Sequence, residues 1–179
     1  MEKRKALTGL NKFPVSHYTI TMIYQLPYFD KINAAALEGY YQSDIEFNGD
    51  DVSIDLTFES ITADEHTIEK LISFLNNIVA FEAQNRILIK SDFNNEGDAA
   101  AYVQYFETKV PKELLGDAIG STALQLLDKL ELMVISLFPN SEDCFAQFDY
   151  YIKLTELHSQ LLTVRLTETG ELIHIAWES

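Results

Sequence analysis

Between residues 50 and 90 the hydrophobic period changes from two to about 3.6, and that switch sets the class of fold open to this chain. Val52, Ile54, Leu56 and Phe58 alternate with Ser53, Asp55, Thr57 and Glu59, the pattern of a strand with one dry face and one wet face. Asn48-Gly49-Asp50-Asp51 precedes it. Asn-Gly supplies the positive φ angles of a tight turn, so Ile45–Phe47 is expected to form the other arm of a hairpin. Directly after the strand, Ile68, Leu71, Ile72, Leu75 and Val79 recur at helical spacing, continued by Ala83 and Ile87, while Phe74, Ile78 and Phe81 widen the arc. Thr62 and Glu65 have the spacing of a capping box, and Asp64 adds negative charge at the start. One helix is therefore expected to run to Lys90 with its stripe on the sheet.

The flanks extend the pattern. His17–Leu26 is rich in β-branched and aromatic residues and reads as a strand ended by Pro27. Residues 30–40 read as a short helix or helical turn, capped by Asp30 or Asn33 and stopped at Gly39. Asp92–Gly97 reads as a loop, and Asp98 as the cap of a helix whose apolar side is Ala99, Tyr102, Val103 and Phe106. Pro111 marks a break. Residues 112–128 carry a helical pattern weakened by Gly116 and Gly120, so a short helix, a turn and a second short helix at Ala123–Asp128 are expected. Leu130–Phe138 has the length of either element; Pro139-Asn140 after it and three strand-like segments beyond favour strand. Those segments are Phe145–Leu154, Leu161–Leu166 and Glu171–Trp177, the last two joined by Thr167-Glu168-Thr169-Gly170. The sum is an α+β domain over residues 14–179, an antiparallel sheet made of an N-terminal hairpin and a C-terminal β-meander with helices packed on one side, preceded by a flexible basic tail over residues 1–13.

Charge narrows the function classes. The 179 residues hold 28 Asp and Glu against 13 Lys and Arg, a formal charge of -15. Lys3, Arg4, Lys5 and Lys12 against Glu2 leave residues 1–12 at +3, so the remainder carries -18. Such a field repels nucleic acid, whose binding depends on cationic groups displacing counterions, and anionic membranes. It favours a basic protein partner and speeds encounter with one. No apolar run has the roughly 18–20 residues that span a bilayer, no signal-peptide pattern follows the basic start, and Cys144 has no second cysteine to pair with. A cytoplasmic protein is expected.

No catalytic or cofactor-binding residues stand out, and each chemical string has a plainer structural explanation. Asp92, Asn94, Glu96 and Asp98, with Gly97, reproduce the opening of a calcium loop. Position eight is Ala99 and position twelve is Val103, where a bidentate carboxylate is required, so a polar helix–helix connection is the better reading. Asp64-Glu65-His66 splay about 100° apart on a helix and serve as cap and dipole partners. His17, His66, His158 and His174 lack zinc-type spacing. Glu142 and Asp143 beside Cys144 blunt its reactivity. No Gly-x-Ser-x-Gly elbow is present, and Gly116-Asp117-Ala118-Ile119-Gly120 lacks the phosphate-loop lysine. Tyr18, Tyr24, Tyr28, Phe29, Tyr40 and Tyr41 cluster early, where packing explains them better than base stacking.

At Pro27-Tyr28-Phe29, at Val52–Phe58, and above all at Phe148-Asp149-Tyr150, Leu161–Leu166, Gly170 and Ile175-Ala176-Trp177-Glu178-Ser179, the chain resembles a bacterial family catalogued as a domain of unknown function. Its pattern is a Tyr-Phe near the start, a hydrophobic strand, then a Phe-Asp-Tyr strand leading to a final hairpin that ends in Glu-Ser. The resemblance spans residues 27–179 and implies a bacterial, cytoplasmic accessory protein. It brings no activity and no catalytic residues. The leading expectation is thus a non-enzymatic acidic binding protein, an inhibitor or immunity-type partner of a basic protein. The alternatives are a hydrolase whose carboxylates meet only in the fold, and a small homo-oligomer using an exposed sheet edge.

Overall fold

The alternation and the turn signals resolve into eight strands and four helices in the computed structural model, which describes residues 21–47, 49–110, 121–153 and 160–179. In chain order these are β1 (Ile23–Gln25), β2 (Lys31–Asn33), β3 (Tyr40–Phe47), β4 (Asp50–Thr57), α1 (Glu65–Asn76), α2 (Ile78–Asn94), α3 (Asp98–Glu107), α4 (Thr122–Leu127), β5 (Leu130–Leu137), β6 (Ala146–Ile152), β7 (Leu161–Leu166) and β8 (Leu172–Glu178). β1 and β2 form a small antiparallel sheet, and the other six strands form one sheet in sequence order. The α+β class holds. The sheet is antiparallel within each half, but β4 and β5 run parallel, Ile54 opposite Ile135 and Leu56 opposite Leu137, a join the sequence pattern did not announce. Parallel neighbours need a long crossover, and here it contains all four helices.

Register sorts each strand into two faces. Val52, Ile54 and Leu56 of β4, Ile135 and Leu137 of β5, Phe148 and Tyr150 of β6, and Leu162 and Val164 of β7 are all buried on one side. An irregularity between Leu132 and Val134 takes up Met133, which keeps Leu130 and Leu132 on that inner side too. The helices cover it. Phe74 of α1 packs on Phe145 and Phe148, with ring centroids 5.1 and 6.5 Å apart. Tyr102 and Tyr105 of α3 pack on Trp177 of β8. The expected apolar side of α3 (Ala99, Tyr102, Val103 and Phe106) is fully buried. Gly170 sits at φ 81° in the β7–β8 turn, and a Cβ there would lie 2.1 Å from the Phe81 ring, so the turn needs glycine for its backbone and for its contact.

Several local expectations give way. Residues 30–40 are not helical. Asn33 Oδ1 accepts from the backbone of Met22 and Ala35, a side-chain bond that competes with helix, and Lys31–Asn33 pairs with β1 instead. The helix cap is Asp64, which accepts from Thr67 N–H at 2.8 Å, and not Thr62. The bond holds the Asp64 carboxyl below its ordinary value. The long helix breaks at Asn77, whose side chain bonds back to the Ser73 carbonyl. The new helix, α2, turns Ile78, Glu82, Asn85 and Ile89 inward and leaves Val79 and Ile87 exposed. α2 then runs on to Asn94, through the first half of the expected loop, and the cap of α3 is Gly97 in place of Asp98. The strand expected at 17–26 shortens to Ile23–Gln25 within the described residues. The expectations on residues 1–13, Gly116 and Gly120 lie outside them.

Candidate functional site

The outer face of the large sheet divides into two chemical halves. On β3 and β4 the outward residues are Tyr40, Gln42, Asp44 and Glu46 opposite Thr57, Asp55, Ser53 and Asp51. Glu46 thus faces Asp51 directly, two like charges in a position where such pairs destabilise a sheet. Asp44, Glu46 and Asp51 are exposed, and among the described residues none of them has an ion-pair partner. Asp55 accepts a hydrogen bond from the Tyr40 hydroxyl at 3.0 Å, which raises the phenol's pKa. β3 is also the edge of the six-stranded sheet. Phe58 N–H donates to the Gly39 carbonyl, so the hydrogen-bonded pairs fall on odd residues of β3, and the backbone groups of residues 40, 42, 44 and 46 turn outward from the edge.

The other half neutralises itself. Lys153 bridges Glu131 of β5 at 3.0 Å and reaches across to Asp50, the first residue of β4, at 3.1 Å, and those bonds raise its pKa. Arg165 of β7 donates to Gln147 of β6 at 3.0 Å and to Glu178 of β8 at 2.8 Å. Gln147 in turn donates to both oxygens of Asp149, which also takes the Thr163 hydroxyl at 2.6 Å. Asp149 is 5% exposed, and burial pushes its carboxyl up despite those donors. This chain of contacts ties β6, β7 and β8 together.

A cleft of about 360 Å³ opens between the small sheet and the edge strand, lined by Phe29, Asp30, Lys31, Glu38, Tyr40 and Tyr41 among others. Its walls are fixed by specific bonds. Ser43 Oγ donates to the Tyr28 carbonyl at 2.6 Å, holding Tyr28 at φ 67°, a left-handed conformation rare for an aromatic residue. Gln25 donates to the Phe29 carbonyl at 2.8 Å. The Tyr41 hydroxyl accepts from Glu38 N–H at 2.9 Å.

Inside the fold α2 carries polar groups that the sequence pattern did not single out. Glu82, Asn85 and Arg86 lie one turn apart toward Tyr150 of β6. Arg86 donates to Glu82 and to the Leu130 carbonyl, and its guanidinium lies 5.0 Å from the Tyr150 ring centre. Both polar side-chain atoms of Asn85 and the Tyr150 hydroxyl are buried, and among the described residues none of them makes a well-formed hydrogen bond, although Asn85 lies close enough to Tyr150 to favour its charged form. Burial, with the Glu82 charge, drives the Tyr150 pKa up. The spacing Ile78, Glu82, Asn85, Ile89 is helical in the sequence; once Asn76-Asn77 is read as a break, it identifies this face.

The calcium-loop residues do not converge. Asp92 and Asn94 belong to the last turn of α2. The Asp92 carboxylate accepts from Ala99 N–H at 2.8 Å, which takes up the start of α3, and Glu96 and Asp98 lie in and just beyond the connection. Among the described residues no three His, Cys, Asp or Glu side chains gather as metal ligands. His174 shares an open cleft of about 380 Å³ with Ser91 and Asp92, but among the described residues no hydrogen bond joins it to either. Cys144 is half-buried; burial raises its thiol, Arg165 opposes that, and Asp143 adds to it. His17 and His158 lie outside the described residues, and His66 is exposed beside the cap of α1. No described helix is long and apolar enough to cross a membrane. Compared with family models, with curated proteins and with solved structures, the chain matches none.

Proposed function

We propose that this chain is a non-enzymatic binding protein that meets a basic protein partner through the outer face of β3 and β4. One observation carries the reading. Among the described residues Asp44, Glu46 and Asp51 stand exposed on adjacent strands with no ion-pair partner, while Lys153 and Arg165 answer Glu131 and Glu178 of the neighbouring strands and Asp50 at the start of β4. Uncompensated like charges cost stability on their own and gain it back against a surface of opposite sign. Such complementarity acts chiefly on the encounter rate, which falls steeply with salt.

The test is a pull-down from the source cells using the full chain, washed at low and then high salt. It is run beside a variant carrying Asp44→Asn, Glu46→Gln and Asp51→Asn. A basic protein retained by the natural chain at low salt, released at high salt and lost from the variant supports the proposal. Equal retention by both chains, or recovery of the bait alone at every salt, refutes it.

A further inference from the structure

We infer that the cleft between β2 and β3 receives an arginine side chain of that basic partner. The inference rests on the binding function proposed above and names where its most specific contact forms. Tyr40 belongs to both surfaces. It is 51% exposed, it lies four residues from Asp44 on the same face of β3, and its hydroxyl is anchored on Asp55. Tyr41 and the mostly buried Phe29 also line the cleft, and Asp30 and Glu38 are its acidic residues.

That combination selects one ligand chemistry. A guanidinium stacks flat on aromatic faces and forks onto carboxylates in two parallel bonds, which an ammonium cannot do. An anion would meet Asp30 and Glu38. An apolar side chain would strip water from both acids without replacing it. Lys31 also lines the cleft, and it opposes a cation; its removal is therefore informative. The walls are set before any ligand arrives. Tyr28 keeps its left-handed backbone because Ser43 holds its carbonyl, and Tyr41 keeps its ring through Glu38 N–H. A site built this way loses little freedom on binding.

The experiment follows backbone amide shifts of the full chain on titration with three probes: a glycine-spaced peptide carrying arginines, the same peptide with citrulline at each arginine, and free N-acetyl-arginine amide. The arginine peptide is expected to move the amides of Phe29–Ile32 and Tyr40–Gln42, and the citrulline peptide to bind about tenfold more weakly. Tyr40→Ala and Glu38→Gln should each weaken the arginine peptide about fivefold, and Lys31→Ala should tighten it about twofold. If the peptide moves the amides of Asp44, Glu46 and Asp51 but not those of the cleft, the cleft assignment falls and the acidic face stands. Failure of the peptide to bind at all removes both. Free N-acetyl-arginine amide binding as tightly as the peptide would assign the cleft to a small cationic metabolite and overturn the partner side chain as its occupant.

Discussion

Reversing one charge, Glu46→Lys, should make the protein more stable and a worse binder. Glu46 pairs with Asp51 across the hairpin at a position without direct hydrogen bonds, where opposed Cα atoms are about 4.5 Å apart. Extended side chains can splay, so a charge separation of about 7 Å is reasonable, and in water two unit charges at that distance repel by about 0.6 kcal/mol. With a Debye length of about 30 Å at 0.01 M salt most of this survives, and at about 8 Å in 0.15 M less than half does. Asp44, two residues away on the same face, adds a smaller term. Exchanging Glu46 for lysine turns repulsion into attraction and doubles the difference. The expected gain is about 1 kcal/mol at 0.01 M salt and about 0.5 kcal/mol at 0.15 M. Glu and Lys are both poor strand formers, so intrinsic propensity changes little. With a urea slope near 2 kcal/mol/M the midpoint should rise by about 0.5 M at low salt, while capture of the basic partner weakens. A midpoint that is unchanged or lower at 0.01 M salt, or a gain that salt does not diminish, refutes the claim that these acids strain the hairpin.

Two further measurements probe the buried polar groups. A buried hydroxyl without a well-formed bond costs about 1–3 kcal/mol, so Tyr150→Phe should raise the urea midpoint, by about 1 kcal/mol in stability, with Asn85→Leu acting in the same direction; a loss would mean that Asn85 or ordered water holds the hydroxyl. Asp149 is raised in the folded state by burial. The folded protein therefore binds that proton more tightly than the unfolded chain, and its contribution is full below the ordinary Asp value of 3.8 and is lost as pH rises through the folded value. Midpoints of the natural chain relative to Asp149→Asn, measured from pH 3.5 upward, should fall across that window, and a flat or rising difference contradicts the assignment.

Where one rule governed a segment, the sequence was readable. The alternation at Val52–Phe58 gave β4 its inner face residue by residue, and Gly49, at φ 91°, its turn. Residues 161–177 gave the last hairpin, because burial on one side enforces a period of two. Where two rules competed, a local side-chain bond overrode the longer pattern. Asp64 displaced Thr62 as the cap because aspartate is the stronger N-cap residue and lies next to the first helical turn. Asn77 broke a stripe that Val79, Ala83 and Ile87 continue in sequence, since its amide captures the Ser73 carbonyl. The parallel join of β4 to β5 left no mark at all, because a strand buried on one face has the same pattern whichever way its neighbour runs.

The same distinction locates the proposed binding face. Total charge is a property of composition, and -15 over the chain says nothing about position. Register supplies the position. On β5 to β8 each outward acid finds a donor one strand away, Glu131 in Lys153, Glu178 in Arg165, and Asp149 in Thr163, with Gln147 of its own strand adding a second, so that face is locally closed. On β3 and β4 the outward positions hold acids on both strands and no cation, so the hairpin stays open. A cation placed among those outward positions would have closed it as Arg165 does the meander. The uncompensated field of the described residues therefore concentrates at the edge strand, beside the cleft of Tyr40 and Tyr41, where a cationic partner gains most from it.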